Sequence, residues 1–248
     1  MTLFRLSPTY ESFVGLSPEE QSWLIASEYG ICNGWRANFV IDATGQSFGA
    51  NGDSSDISNH VDRLLLGKLR SLADVIVTSG KTARIERYKS SKHAPIAIFT
   101  RSGDLDSVPA IQGTQYFTPL VLTPVSCLPQ VEANLSDVDV RFATLEVAQG
   151  DSSWPNKVGD ALRHEGFQSP ILESGLSTIR QFLASNVLDE VCLTITASAN
   201  RGLSARHLSK LFLHELFGSF GDFELKNLFV TDGTSFSRWV RNGVADLS

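Results

Sequence analysis

From Ser58 onward, Val61, Leu64, Leu65, Leu69 and Leu72 recur at helical spacing. The pattern then changes to the short continuous run Ala73-Asp-Val-Ile-Val-Thr78, so a helix is predicted to feed a buried strand. Similar runs predict strands at 37–42, 95–100, 119–123, 138–145, 170–173, 190–196, 223–231 and 235–241, with helical patterns at 156–164 and 176–184 among them. Strands alternating with helices imply an α/β fold whose sheet is mainly parallel. The last two strands are joined by Asp232-Gly233, which predicts an antiparallel hairpin, so the sheet is mixed. Residues 17–29 form a further predicted helix, with Ser17 as cap, Pro18 at the first position and Glu20 completing a capping box. No repeat or linker divides the chain. The expected organisation is a helical extension over 1–34 and one domain over 35–248.

Composition narrows the class. With 42% hydrophobic residues the 248-residue chain can close a sizeable core, and a formal charge of −6 provides no general attraction for nucleic acid or an anionic membrane. The apolar runs are far shorter than the roughly 18 residues that span a bilayer. Arg5 and Pro8 fall where a signal peptide would need its apolar region, so a cytoplasmic protein is expected. Cys32, Cys127 and Cys192 are scattered and odd in number, which fits buried thiols and no disulfide framework. His60, His93, His164, His207 and His214 lack metal-ligand spacing, so no metal is expected. Neither His-x-Glu nor Pro-Cys-x-x-Cys occurs, so the usual zinc deaminase pattern is absent and deamination is not expected of this chain.

Three segments could carry chemistry. Gly45-Gln46-Ser47-Phe48-Gly49 has the letters of a nucleophile elbow, with Asp189 and His207 or His214 in hydrolase order. An elbow needs a helix directly after the serine, and 50–56 is turn-forming, so a glycine-rich loop is the expectation. Ser79-Gly80-Lys81-Thr82 follows a strand but lacks the earlier glycine of a P-loop, Val75 standing in its place. It remains a small hydroxyl-bearing turn followed by Lys81, Arg84, Arg87, Lys89 and Lys92, with Glu86 the only acid among them. In the third segment, Glu173-Ser174-Gly175 joins a buried strand to an amphipathic helix. The N–H groups of residues 175–178 would face an anion at the positive end of the helix dipole, and Glu173 could accept hydrogen bonds from a polar heterocycle. Glu173 could equally be a helix-terminal charge without function, and the cations a solvated loop.

Taken in order, Arg36-Ala-Asn-Phe-Val, Asp53-Ser-Ser-Asp-Ile-Ser58, Leu69-Arg70-Ser-Leu-Ala-Asp74, Gly80-x-Thr82-x-x-x-Glu86-x-Tyr88, Leu172-Glu173-Ser-Gly175 and Leu188-Asp189-Glu190-Val-Cys-Leu-Thr194 resemble the pyrimidine reductase domain of riboflavin biosynthesis, most of all its stand-alone actinobacterial members. The resemblance covers roughly residues 35–240 and implies a dihydrofolate-reductase-like fold and a homodimer. It also implies NADPH-dependent reduction of 5-amino-6-(5-phosphoribosylamino)uracil to the ribityl compound. Carried over by position, Gly80, Thr82 and Glu86 belong to the cofactor site, and Ser174, Gly175, Leu176, Ser177 and Thr178 to the turn that takes its phosphates. Ser54, Arg70 and Glu173 fall at substrate-contacting positions, Arg70 against the phosphate and Glu173 against the pyrimidine, while the role of Asp56 is open. No catalytic side chain is named, because such a hydride transfer depends on aligning two bound molecules.

The chain departs from the family pattern where members read Ser-Leu-Asp-Gly and it has Asp42-Ala-Thr44-Gly45, where Ser174 replaces a glycine, and where Lys81 replaces a small residue. A reductase of another pyrimidine or pterin-like compound, or an NADPH-binding protein without turnover, are the alternatives these changes leave open.

Overall fold

The computed structural model describes residues 1–148, 150–197, 218 and 220–244. His207 and His214 lie outside them. In chain order the elements are β1 (Thr2–Ser7), β2 (Glu11–Val14), α1 (Pro18–Tyr29), β3 (Arg36–Asp42), α2 (His60–Ser71), β4 (Val75–Ser79), α3 (Gly80–Ile85), β5 (Ile96–Phe99), α4 (Pro109–Gln112) and β6 (Leu120–Pro124). They continue with α5 (Leu128–Asn134), β7 (Arg141–Leu145), α6 (Trp154–His164), β8 (Pro170–Leu172), α7 (Leu176–Ala184), β9 (Glu190–Thr196), β10 (Phe223–Thr231) and β11 (Thr234–Arg241). The predicted mixed α/β architecture, parallel strands with helices and an antiparallel hairpin at the end, is what the chain forms.

Two compact units divide the chain. The first comprises Met1–Cys32, Arg36–Leu72 and the described residues from Leu188 onward. Its strands run in the order β2-β1-β10-β11-β9-β3, antiparallel except for the β9–β3 pair. The capping box of α1 forms as predicted: Ser17 Oγ accepts from Glu20 N–H, and Glu20 Oε2 accepts from Ser17 N–H. At the β10–β11 turn both Asp232 (φ 45°) and Gly233 (φ 70°) are left-handed, the geometry of a two-residue hairpin that matches strand twist. β1 and β2 were not visible in the hydrophobic pattern. β1 is anchored by pairing with β10, Phe4 opposite Val230 and Arg5 opposite Phe229, while β2 is short and mostly exposed.

Within this first unit lies a buried ion cluster. Glu190 Oε2 accepts from Arg36 Nε (2.9 Å) and Nη2 (2.7 Å), and Oε1 accepts from Arg238 Nη2 (2.7 Å). Arg36 also donates to the carbonyls of Tyr29 and Gly30, and Arg238 to Asn227 Oδ1. Two guanidinium groups thus face one carboxylate, all three side chains being buried.

The second unit is Asn33–Trp35 with Ala73–Val187. Its sheet is wholly parallel in the order β8-β4-β5-β6-β7. Val75, Ile76, Val77 and Thr78 of β4 are completely buried, which is why this strand has no alternation of apolar and polar residues. Trp35, Phe99, Trp154 and Phe182 form an aromatic cluster with centroids 5.0–6.3 Å apart. No helix among the described residues is long and apolar enough to cross a membrane.

Candidate functional site

β4 and β8 are neighbouring parallel strands, and both end in small hydroxyl-bearing turns. Such carboxyl-terminal strand ends form the usual ligand crevice of open parallel sheets. After β4, Ser79 caps α3 by accepting from Thr82 N–H at 3.1 Å. Gly80 sits in the first turn, where a Cβ would meet Thr100 Oγ1 at 3.2 Å, Thr100 Cβ at 3.3 Å and Leu105 Cδ2 at 3.4 Å. A side chain there would need Thr100 and Leu105 to give way by a few tenths of an ångström.

The turn after β8 is stitched to this one through hydroxyls. Ser79 Oγ donates to Thr82 Oγ1 (2.9 Å), Ser174 Oγ donates to Ser79 Oγ (3.2 Å), and Thr82 Oγ1 lies 3.1 Å from Ser174 Oγ. With the other two protons already directed onward, Thr82 closes a three-membered cycle by donating to Ser174. Gly175 N–H also donates to Thr82 Oγ1, at 3.1 Å. Of the predicted cofactor residues, Gly80, Thr82, Ser174 and Gly175 are therefore brought together.

Gly175 makes no turn that requires glycine. Its φ of −63° and ψ of 155° suit any residue, and a Cβ there would meet only Thr82 Oγ1, at 3.8 Å. The Ser174 hydroxyl is engaged within the protein. It is buried and turned inward onto Thr82 and Ser79. α7 begins at Leu176 without a side-chain cap, with Ser177 exposed and Leu176 and Thr178 half-buried. Of the four N–H groups expected to face an anion, Gly175 N–H is taken by Thr82 Oγ1 and Thr178 N–H by Gly175 O (2.9 Å), which leaves those of Leu176 and Ser177 to meet one.

Glu86 is placed differently. It closes the far end of α3, its N–H bonded to Thr82 O at 2.9 Å. The basic stretch that begins within α3 is partly neutralised, since Arg84 Nη1 pairs with Asp104 Oδ2 at 3.4 Å and also donates to the Asp104 carbonyl. Asp104 lies outside the 81–92 interval, which is why local charge counting missed it.

Glu173 is 4% exposed, and its Oε2 accepts from the Tyr88 hydroxyl at 2.7 Å. Tyr88 and Ser79 are the two participants to which sequence reasoning gave no role. Tyr88 did stand inside the quoted Gly80-to-Tyr88 pattern, but its partner is 85 residues away.

Ser54 and Arg70 belong to the first unit. Ser54 is half-buried in a turn, its carbonyl accepting from the N–H groups of Ile57 and Ser58. Arg70 lies half-buried in the last turn of α2. A cleft of about 930 Å³ in this unit is lined by Asp56, Asn59, Thr196 and Thr231 among others. Asp56 also crowds Gly49: a Cβ on that glycine would lie 2.2 Å from Asp56 Cβ. Asp42, one of the departures from the family pattern, builds its loop through Oδ1, which accepts from Thr44 N–H, Thr44 Oγ1–H and Gln46 N–H. No helix follows Ser47 before His60, so the elbow is absent, as expected.

Cys32 and Cys192 are buried, and burial pushes both thiols up, Cys192 to about 12, so neither is a nucleophile. Cys127 is only half-buried. Among the described residues no group of three His, Cys, Asp or Glu could hold a metal ion.

The fold and the paired turns define a class: a mixed α/β protein with two parallel strands ending in knitted, hydroxyl- and glycine-bearing turns. Its family follows from the sequence. Residues 37–198 match the model of the RibD C-terminal domain, and the chain belongs to that family. No curated protein matches the chain significantly. Among solved structures it is similar to a pyrimidine reductase-like protein of Corynebacterium diphtheriae, with 22% identity, a TM-score of 0.62 and 93% of this chain and 100% of that one covered. It is also similar to a diaminohydroxyphosphoribosylaminopyrimidine deaminase/5-amino-6-(5-phosphoribosylamino)uracil reductase of Thermotoga maritima (13% identity, TM-score 0.58), covering 89% of this chain and 59% of that one. The riboflavin biosynthesis reductase of Saccharomyces cerevisiae is a third, with 11% identity, a TM-score of 0.53, and 86% and 90% covered. At such identities these likenesses concern the fold.

Proposed function

We propose that the protein is a cytoplasmic, homodimeric, NADPH-dependent reductase acting on 5-amino-6-(5-phosphoribosylamino)uracil. The observation that carries this reading is membership of the RibD C-terminal domain family, together with the meeting of Thr82, Ser174 and Gly175 at the uncapped start of α7. The residues fit a dinucleotide. The N–H groups of Leu176 and Ser177 suit its phosphates, and Gly175, whose conformation needs no glycine, leaves the backbone bare where phosphate would approach.

When bound, NADPH supplies the hydride that reduces C1′ of the sugar. The chain's part is alignment. Thr82 would brace the 174–178 turn through its bonds to Ser174 and Gly175, that turn would meet the phosphates, and Gly80 and Glu86 keep the cofactor-site roles that the resemblance gives them. Glu173 receives the polar edge of the pyrimidine. Ser54 and Arg70 keep the substrate-contacting roles that the resemblance gives them, Arg70 paired with the phosphate. No side chain of the chain is required to form a bond to substrate.

The decisive experiment follows NADPH absorbance with the phosphoribosylaminouracil as substrate. Oxidation that depends on this substrate and exceeds that with NADH supports the reading. Tight NADPH binding without turnover would overturn it and favour a second reading, a reductase of another pyrimidine or pterin-like compound, or a cofactor-binding protein without turnover. The departure at Asp42, whose Oδ1 is engaged by its own loop, is what favours that second reading.

A further inference from the structure

α3 ends on a left-handed residue that is not glycine. Arg87 has φ 47°; its N–H bonds Arg84 O at 3.2 Å, and the following N–H, of Tyr88, bonds Ala83 O at 3.0 Å. This two-bond helix ending is the one in which glycine is favoured, because a side chain in the left-handed region is sterically disfavoured. An arginine here keeps strain in the turn, and the fold gains a fixed direction for the next residue.

That residue is held from three sides. Besides the bond to Ala83 O, the Tyr88 carbonyl accepts from Ala110 N–H at 2.8 Å, and the Tyr88 hydroxyl donates to Glu173 Oε2 at 2.7 Å. Glu173 is anchored at its other end, where its N–H donates to Val77 O at 2.8 Å. A carboxylate only 4% exposed needs donors to be tolerated, and a phenol with two side-chain torsions supplies one at a well-defined place. The hydroxyl cycle at Thr82 makes no use of Tyr88, so the two arrangements are chemically separate even though α3 connects them.

We propose that Tyr88 is a positioning residue for the pyrimidine: its hydroxyl holds the Glu173 carboxylate ready for the ring N–H groups, and the left-handed Arg87 aims it there. This rests on the reading above, in which Glu173 faces the heterocycle. The consequence is a separation of effects, with Tyr88 acting on substrate and not on the dinucleotide.

The test is a cycle between Tyr88→Phe and Glu173→Gln, read by steady-state kinetics, NADPH affinity and thermal melting. Tyr88→Phe is expected to raise the substrate KM about tenfold while kcat falls less than about threefold, as for a lost ground-state contact. Its NADPH affinity is expected to stay at that of the unmodified chain, while Tm falls because the buried carboxylate loses a donor. In the Glu173→Gln background the same substitution is expected to add no more than about twofold to KM, because the carboxylate it positions is gone. An unchanged KM, an equal loss in both backgrounds, or a parallel loss of NADPH affinity would each overturn the role of Tyr88 and leave the reductase reading intact. Absence of substrate turnover in the unmodified chain would bring down that reading, and this inference with it.

Discussion

Thr82 Oγ1 and Ser174 Oγ, 92 residues apart in the chain, lie 3.1 Å from each other and close a cycle through Ser79. The cycle fixes the turn after β4 to the turn after β8. Thr82→Val keeps the shape of the side chain, deletes one member of the cycle, and leaves Gly175 N–H without this acceptor. We expect a stability loss of about 1–2 kcal/mol in urea unfolding. NADPH affinity, read by fluorescence titration, is expected to fall about tenfold.

Two glycines of the candidate site should behave oppositely. Gly80→Ala forces a Cβ to within 3.2–3.4 Å of Thr100 and Leu105, and a loss of about 1–3 kcal/mol is expected in thermal or chemical unfolding. Gly175→Ala meets nothing closer than 3.8 Å and needs no change of backbone, so its stability is expected to stay within about 1 kcal/mol. If NADPH affinity nevertheless drops in Gly175→Ala, the glycine is there for the approach of a ligand; an unchanged affinity would remove residue 175 from the cofactor site.

Much of the second unit was legible because buried parallel strands announce themselves as continuous apolar runs, as in Val75 to Thr78. What could not be read depends on partners far away in sequence. β1 has no strong pattern of its own and is a strand because β10 pairs with it. That Thr82, Ser174 and Gly175 share a site was implied by the resemblance, and the structure brings the three together. The inward turn of Ser174, the pairing of Tyr88 with Glu173 and the ordinary backbone of Gly175 were not legible, since spacing along a chain carries no side-chain direction.

In the ion cluster of the first unit, Glu190→Ala would leave Arg36 and Arg238 facing each other without the carboxylate between them. Breaking a buried pair in this way costs about 3–5 kcal/mol, which denaturant titration would register as a large fall in midpoint. Glu190→Gln keeps one acceptor oxygen but turns an NH2 donor toward the other guanidinium, so it should recover only part of the loss.

Asp62 sets a pH dependence. Burial holds its carboxyl above the ordinary value of 3.8, against the hydrogen bond from Ser58 Oγ at 2.6 Å. A carboxyl with a higher pKa folded than unfolded favours folding when protonated. Its penalty is therefore full above the folded pKa, shrinks as pH falls through that value, and is gone below about 3.8. Asp62→Asn is expected to be the more stable protein at neutral pH, with the advantage fading across that acidic window. Thermal melts of both proteins at a series of pH values check this, and a constant difference would contradict it.

The left-handed Arg87 gives a last expectation. Arg87→Gly removes the steric cost of φ 47° at a place where the chain already tolerates the conformation. A gain of up to about 1 kcal/mol is expected in chemical unfolding, and a loss would mean that the arginine side chain contributes more than the strain it carries.

Ser7, in the last position of β1, donates from its hydroxyl to the carbonyl of Lys226, 219 residues further along. On a ribosome β1 must therefore wait, unpaired, until the residues of β10 have emerged. The stretch from Ala73 to Val187 contains all five strands of its own parallel sheet and is under no such delay. Vectorial synthesis thus favours an order of maturation in which the middle of the polypeptide settles first and its two ends find each other afterwards.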